Sequence, residues 1–342
     1  MSAATVMTLG GVGYAAHRRH RNPYYDGPVS DHFDGVRFHS PGPSTDKSLA
    51  EVLRWQLARS GEAWPARFPS PYSDTPPQRV DGLRVTLIGH ASYLFQVAGR
   101  NILVDPVYAK RASPVSLAGP KRANPPGIPF DKLPPIDVVL ITHNHYDHLD
   151  GPTMARLWQE QQPLIVAPLG NDAILRSYDD TMHVVVKDWD ESVDLGGCVT
   201  AHLAAANHWS ARGLNDRRMA LWCSYVLTSP SGVHYHSGDT GLGDGAIFRA
   251  ARTRFGPARL ATLPIGAYEP RWFMKGQHMN PADAVEAALL LGANQALGHH
   301  WGTFRLTDEG IERPVEALAA ACAEQGEALS FRAMRPGEVW SA

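Results

Sequence analysis

The sequence predicts an α/β (α+β) fold in which two β-sheets pack together and helices cover them from outside. Three observations carry this. Short β-rich runs come in hairpin-like groups, beginning with residues 83–88, 93–97 and 101–104, the last two joined by an Ala98-Gly99 turn. Stretches with helical signals are interspersed among later runs. One run, residues 137–142 (DVVLIT), is apolar almost throughout, as expected of a strand buried on both faces.

Taken in order, residues 1–16 are mildly apolar, rich in Gly and Ala, and followed rather than led by the basic run 17–21. They read as a frayed terminus rather than a cleaved signal peptide. Residues 22–43 read as an extended arm. Leu49, Val52, Leu53 and Leu57 recur at helical spacing and predict an amphipathic helix over 48–59. Residues 65–77 carry five prolines and read as a wrapping loop. The compact unit is expected to begin near Val80, dividing the chain into 1–79 and 80–342. Within it, strands are expected at 164–167, 183–187, 199–203 and 260–263, and a hairpin joins 221–228 to 233–236 around Pro230-Ser231-Gly232. Asn280 as N-cap, Pro281 in the first turn and Gly292 at the end bracket a helix over 282–291. Arg313, Pro314 and Gly326 bracket a last one.

A chain of 342 residues with 44% hydrophobic content can bury a large core and is too apolar to be disordered. A net charge of -2 gives no global basic field, so nucleic acid is not an expected partner. The three cysteines form no CxxC pair, which excludes a cysteine zinc site and suits a reducing, cytoplasmic compartment. No run approaches the roughly 20 apolar residues that span a bilayer.

The chemistry is concentrated in Thr142-His143-Asn144-His145-Tyr146-Asp147-His148, just past the buried strand and just before a helix. In extended chain, residues two apart point the same way, so His143 and His145 can grip one metal ion. After a turn, Asp147 and His148 can address a second. Histidine and aspartate are ligands that Zn²⁺ accepts. Downstream, each following a strand-like run, His208 is placed to complete the first site and His300 the second, and Asp239 offers two oxygens as a bridge. His202, His234 and His236 alternate with apolar residues and read as strand surface or packing. Two ions roughly 3.5–4 Å apart suit in-line displacement at a phosphodiester. A zinc-bound water of pKa about 7 supplies hydroxide at neutral pH.

The HxHxDH segment with its later His, Asp and His resembles the metallo-β-lactamase superfamily. Further strings resemble one branch of it, the N-acyl-phosphatidylethanolamine-hydrolysing phospholipases D. They include His90-Ala91-Ser92, Gly119-Pro120-Lys121-Arg122, residues 133–149, 264–275 (PIGAYEPRWFMK), Gln277-His278 and 300–304 (HWGTF). The resemblance runs from about His90 to the C-terminal helix and is only compositional before Val80. It implies an αββα sandwich with two Zn²⁺ per chain on one edge. His143, His145 and His208 would hold one ion, Asp147, His148 and His300 the other, with Asp239 bridging and Asp147 orienting the hydroxide. It also implies hydrolysis of N-acylated ethanolamine phospholipids to phosphatidic acid and an N-acylethanolamine.

For substrate contact the sequence offers Lys121, Arg122, Arg271 and Lys275 as cations, His278 beside a helix N-cap, and Tyr268 in an aromatic patch. His90 is expected to orient a ligand or meet substrate. A phospholipid, a membrane surface touched peripherally and a second copy in a homodimer are the expected partners. Two other functions compete: hydrolysis of a soluble lactone or diester, and a non-catalytic metal or lipid scaffold, whose sign would be a missing ligand.

Overall fold

Two seven-stranded sheets lie face to face, with helices on the outer face of each. The structure, a computed structural model, describes residues 21–342 apart from 43–44, 59–60, 116 and 326–328. The expected frayed terminus over 1–16, the basic run up to His20 and the helix stop at Gly326 fall outside the described residues.

The first sheet is formed by β1 (Leu83–Gly89), β2 (Ser92–Val97), β3 (Arg100–Val104), β4 (Val138–Leu140), β5 (Leu164–Pro168) and β6 (Val184–Lys187). The second is formed by β7 (Ser192–Asp194), β8 (Thr200–Ala204), β9 (Ser224–Ser229), β10 (Gly232–His236), β11 (Leu260–Pro264), β12 (Gln295–His299) and β13 (Ser330–Ala333). The last strand, β14 (Val339–Ser341), returns to pair with β1, so the orders are β14-β1-β2-β3-β4-β5-β6 and β13-β12-β11-β10-β9-β8-β7. The hairpin pairs β1–β2, β2–β3 and β9–β10 are antiparallel, whereas β3–β4, joined by a long loop, and β4–β5, β10–β11 and β11–β12, joined through helices, are parallel.

Between the sheets, Val85, Phe95 and Leu140 meet Leu203, Tyr225 and Leu227. Tyr225 pins the layers together, its hydroxyl donating to the Ile141 carbonyl at 2.9 Å. Outside the first sheet pack α2 (Gly151–Gln161) and α3 (Asn171–Arg176); outside the second pack α4 (Ala246–Phe255), α6 (Pro281–Leu290) and α7 (Arg313–Ala323). A short helix, α5 (Arg271–Met274), precedes α6. The N-cap read at Asn280 is present as a reciprocal box with Asp283. The αββα expectation therefore holds. No described helix is long and apolar enough to cross a membrane.

Several elements differ from expectation. The apolar run 137–142 is a strand only at β4, because Thr142 turns its N–H to the Asp105 carboxylate instead of a neighbouring strand. The strand expected at 221 begins at Ser224; the preceding residues reach into the other sheet's loops, Cys223 N–H donating to the Thr142 carbonyl. The helices α3 and α4 and the strands β7, β13 and β14 had no clear signal.

The residues ahead of β1 pack onto the sandwich. The arm brings Phe33 and Phe38, both buried, against Leu221 and Trp222. The proline-rich stretch ties in through Asp74, which pairs with Arg84 at 2.6 Å and accepts from Thr86 at 2.9 Å. The expected helix is α1 (Leu49–Ala58).

Candidate metal centre

The site sits at one edge of the sandwich, where the loops after β3, β4, β8, β10 and β12 converge. The loop after β4 is set by Asp105, which is fully buried. Its Oδ1 accepts from Thr142 N–H at 2.7 Å and its Oδ2 from Thr142 Oγ1 at 2.5 Å and His148 Nδ1 at 2.7 Å. Opposite it, His300 N–H donates to the His90 carbonyl at 3.0 Å, joining the loops after β12 and β1. Asp105, His90 and His300 all have left-handed backbone, with φ of 43°, 57° and 66°. That conformation is costly outside glycine and clusters at functional sites. Gly266 lets this happen: a Cβ there would lie 2.1 Å from the His300 carbonyl oxygen.

Three imidazole nitrogens converge first. His145 Nδ1 lies 2.9 Å from His143 Nε2 and 3.2 Å from His208 Nε2. His208 Nδ1 is 3.1 Å from the Gln277 carbonyl, to which it donates, so its Nε2 presents a lone pair. Burial pushes His143 and His208 well below the usual histidine range and His145 down to about 4. Buried neutral rings with lone pairs facing one point repel each other unless a cation lies between them.

A second group surrounds two carboxylates. Asp147 Oδ2 is 2.9 Å from His90 Nε2, 3.3 Å from His300 Nε2 and 3.8 Å from His148 Nε2. Asp239 Oδ2 is 3.0 Å from His300 Nε2, 3.2 Å from His148 Nε2 and 3.8 Å from His208 Nε2, so it spans both groups. Burial opposes charge on every member, yet the mutual attraction wins. Asp147 and Asp239 are held well below the carboxylate range by facing imidazoles, His148 foremost. The carboxylates in turn raise His148 strongly and His300 to about 9. Protons on these rings supply the positive charge that a divalent cation would supply. The donor atoms also fit a metal better than a hydrogen-bond network: His148 Nε2 and His300 Nε2 face carboxylate oxygens at 3.0–3.3 Å without a well-formed hydrogen bond, and Asp239 Oδ1 is buried without a partner. The two sets His143, His145, His208 and His90, Asp147, His148, His300 each bring their ligand atoms within 4.8 Å of one another.

A cavity of about 540 Å³ opens over the cluster, reaching His145, Asp147 and Asp239 at its base. Its walls are largely apolar: Phe273, Met274, Ala267 and Leu306 from the sandwich, and Val52 and Trp55 from α1.

The model of the beta-lactamase superfamily domain matches residues 100–301, more than half of the chain. The chain belongs to the metallo-β-lactamase superfamily. It is 37% identical over 272 residues to N-acyl-phosphatidylethanolamine-hydrolyzing phospholipase D 1 of Caenorhabditis elegans, covering 76% of each chain. It is 26% identical to a metal-dependent hydrolase of Pyrobaculum islandicum, covering 75% of this chain and 99% of that one. A solved metallo hydrolase from Ignicoccus hospitalis shares the fold, with a TM-score of 0.55 at 20% identity over 76% of this chain and 98% of that one. The protein is thus a metal-dependent hydrolase of the β-lactamase fold, with His and Asp clusters able to bind metal.

Within this superfamily fold the structure brings together all seven residues read as ligands, His143, His145, Asp147, His148, His208, Asp239 and His300. It also puts His90 against Asp147 and His278 on the cavity wall, with Nδ1 3.9 Å from Asp239 Oδ2. Neither His90, which is wholly buried, nor the other five substrate candidates line this cavity. Arg122 is half-buried beside Gly89 of β1, donating to the Val107 and Ala109 carbonyls and lying over Phe304. Arg271 is tied to the His278 carbonyl and Asp283, where it braces α5 against α6. Lys121 and Lys275 are exposed outside the cavity. Tyr268 lines a neighbouring hollow on the far side of Trp55. The cavity instead takes its cations from Lys47 and Arg217, and the cluster its orienting groups from Asp105 and Gln277. No local motif marks Lys47, Arg217 or Asp105, which are brought in by long-range packing; Gln277 stands in the Gln277-His278 string, but it orients His208 through its backbone carbonyl.

Proposed function

We propose that the protein is a dizinc phosphodiesterase that hydrolyses N-acylated ethanolamine phospholipids to phosphatidic acid and an N-acylethanolamine. The observation that carries this reading is the apolar-walled cavity with a His/Asp cluster at its base, in a chain similar to a phospholipase named for that substrate. His143, His145 and His208 would hold one ion and Asp147, His148 and His300 the other, with Asp239 between them. Two such ions supply an activated water at neutral pH and neutralise charge developing on the phosphoryl oxygens.

The chain's own residues do the rest. His90 holds Asp147 Oδ2, and Asp105 and the Gln277 carbonyl fix which nitrogen His148 and His208 present. His278, pushed down to about 4 by burial, enters the cavity as a neutral ring beside Asp239. Phe273, Met274 and Leu306 exclude water from the reacting centre and give an acyl chain its contact surface. The test is to give zinc-loaded protein N-acyl-phosphatidylethanolamine in mixed micelles, a water-soluble aryl phosphodiester and a lactone panel. Release of phosphatidic acid from the phospholipid should outpace every soluble substrate. A soluble diester or lactone turned over far faster would replace this reading, and full metal content without turnover would make the protein a scaffold.

The same reading puts the protein at the cytoplasmic surface of a membrane. Helix α1 is apolar on two faces: Val52 and Trp55 turn into the cavity, whereas Leu53 and Leu57 are 51% and 87% exposed. Partial burial of the two leucines in lipid would contribute about 2 kcal/mol, or roughly thirty-fold in partitioning. Leu53→Asp with Leu57→Asp should therefore weaken vesicle sedimentation by that order while sparing turnover of a soluble diester. Unchanged vesicle binding would remove this face from the membrane contact.

A further inference from the structure

Arg217 and Lys47 stand on the wall of the cavity that opens over the cluster. The Arg217 guanidinium lies over Trp209, with Cζ 3.6 Å from the ring centroid, and Trp209 meets His145 edge-on at 4.5 Å. Arg217 Nη2 donates to the Thr45 carbonyl at 2.9 Å, and Nε pairs with Asp46 at 3.2 Å. These contacts fix the guanidinium in orientation and leave Nη1 uncommitted among the described residues. Asp46 does not balance the charge, because it also pairs with Arg218 at 2.9 Å, so one carboxylate faces two guanidiniums. Lys47 adds a third cation; its Nζ lies 5.4 Å from the Phe273 ring centroid, and the Glu51 carboxylate, which feels its charge, stays beyond ion-pair distance.

Arg217 and Lys47 are thus partly exposed cations on the cavity wall, open to an anion entering from the cavity side. A guanidinium held flat by stacking, with a donor to spare, suits phosphate oxygens. We propose that Arg217 and Lys47 form a subsite for the anionic oxygens of a phosphate ester. Residues 45–55, ahead of the sandwich, thereby complete the substrate site rather than merely cover it. This rests on the phosphodiesterase reading for its choice of ligand. The shared chemistry is a phosphate anion, borne either by a lipid headgroup or by free phosphate.

The experiment is calorimetric titration of the metal-loaded, full-length protein with dioctanoyl phosphatidic acid, dioctanoylglycerol and inorganic phosphate. Arg217→Gln should weaken phosphatidic acid binding roughly ten-fold and Lys47→Met about three-fold, as expected for losing one partner of a partly desolvated charge pair. Arg217→Lys should recover part of the loss. Dioctanoylglycerol, which has the same chains and no charge, should bind all variants as it binds the wild type. Parallel weakening of inorganic phosphate would show that the subsite also takes the free anion; weakening confined to phosphatidic acid would assign it to a headgroup. Wild-type affinity for phosphatidic acid in both variants would overturn the proposal, as would an equal loss of dioctanoylglycerol, which would mark the pair as wall rather than charge. If the binding losses appear but N-acyl-phosphatidylethanolamine is not hydrolysed, the subsite stands and the proposed reaction falls.

Discussion

Asp239→Asn is expected to lower kcat/KM by about three orders of magnitude and to reduce the metal content, with the fold retained. The substitution keeps the side chain's size in the loop after β10, where Asp239 is almost wholly buried. What changes is charge. Asp239 Oδ2 lies 3.0 Å from His300 Nε2, 3.2 Å from His148 Nε2 and 3.8 Å from His208 Nε2, so one anion serves both groups of ligands. Removing one partner from a buried charge arrangement typically costs about 3–5 kcal/mol, and about 4 kcal/mol in a transition state is near a thousand-fold in rate. Elemental analysis should then show fewer than the two zinc ions proposed for the wild type, and circular dichroism should be unchanged. Near-normal turnover with full zinc content would show that Asp239 does not join the two groups.

The ligand set was legible because its signals are local. Four of its members fall within six residues at the end of one buried strand, and the others follow strand-like runs, where side chains reach a sheet edge. The αββα layering was legible for a similar reason: β1 to β5 are short and apolar, the Ala98-Gly99 turn separates β2 from β3, and a helix stands between β4 and β5. Elements with weak apolar patterns were not. Helix α4 buries only Phe248 and Ala251 and carries three arginines, so its stripe is narrow. Strand β13 lies at a sheet edge with alternate residues exposed, and β14 is three residues long.

The cations show where local reading stops. Arg122 and Arg271 stand in strings that mark the phospholipase branch, yet both hold the backbone together. Arg217 has no such string. It reaches the cavity because Trp209 gives it a ring to lie on and residues 45–46, between the arm and α1, come across to meet it, 171 and 172 positions away in the chain. The arm read as extended does lack regular structure at Phe33 and Phe38 beyond one bridge between them, but it is anchored by burying both rings. An arm's docking depends on a surface that exists only after the sandwich has formed.

Asp105 gives the second large effect, and sequence reasoning passed it over because 43 residues separate it from the histidine it serves. Its carboxylate accepts from Thr142 N–H, Thr142 Oγ1 and His148 Nδ1. By accepting the Nδ1–H hydrogen bond it leaves His148 Nε2 as the nitrogen that faces Asp239 and the cluster, the one that would offer its lone pair to a bound metal. Asp105→Asn is the informative change, because asparagine tolerates the left-handed backbone at φ 43° better than most residues and adds no bulk. The amide has only one oxygen, so its NH₂ must face either the Thr142 N–H or His148 Nδ1. One buried donor then loses its partner, which costs about 1–3 kcal/mol of stability. The larger consequence is at the cluster, where the ring is no longer held in one tautomer. Losing such an orienting partner typically lowers metal affinity or activity by about 10–100-fold. Competition with a chromophoric zinc chelator should show one ion bound more weakly by that order, alongside a lower melting temperature. A lower melting temperature with native zinc affinity would reduce Asp105 to a brace for the loop after β4, leaving His148 oriented by Asp239 alone.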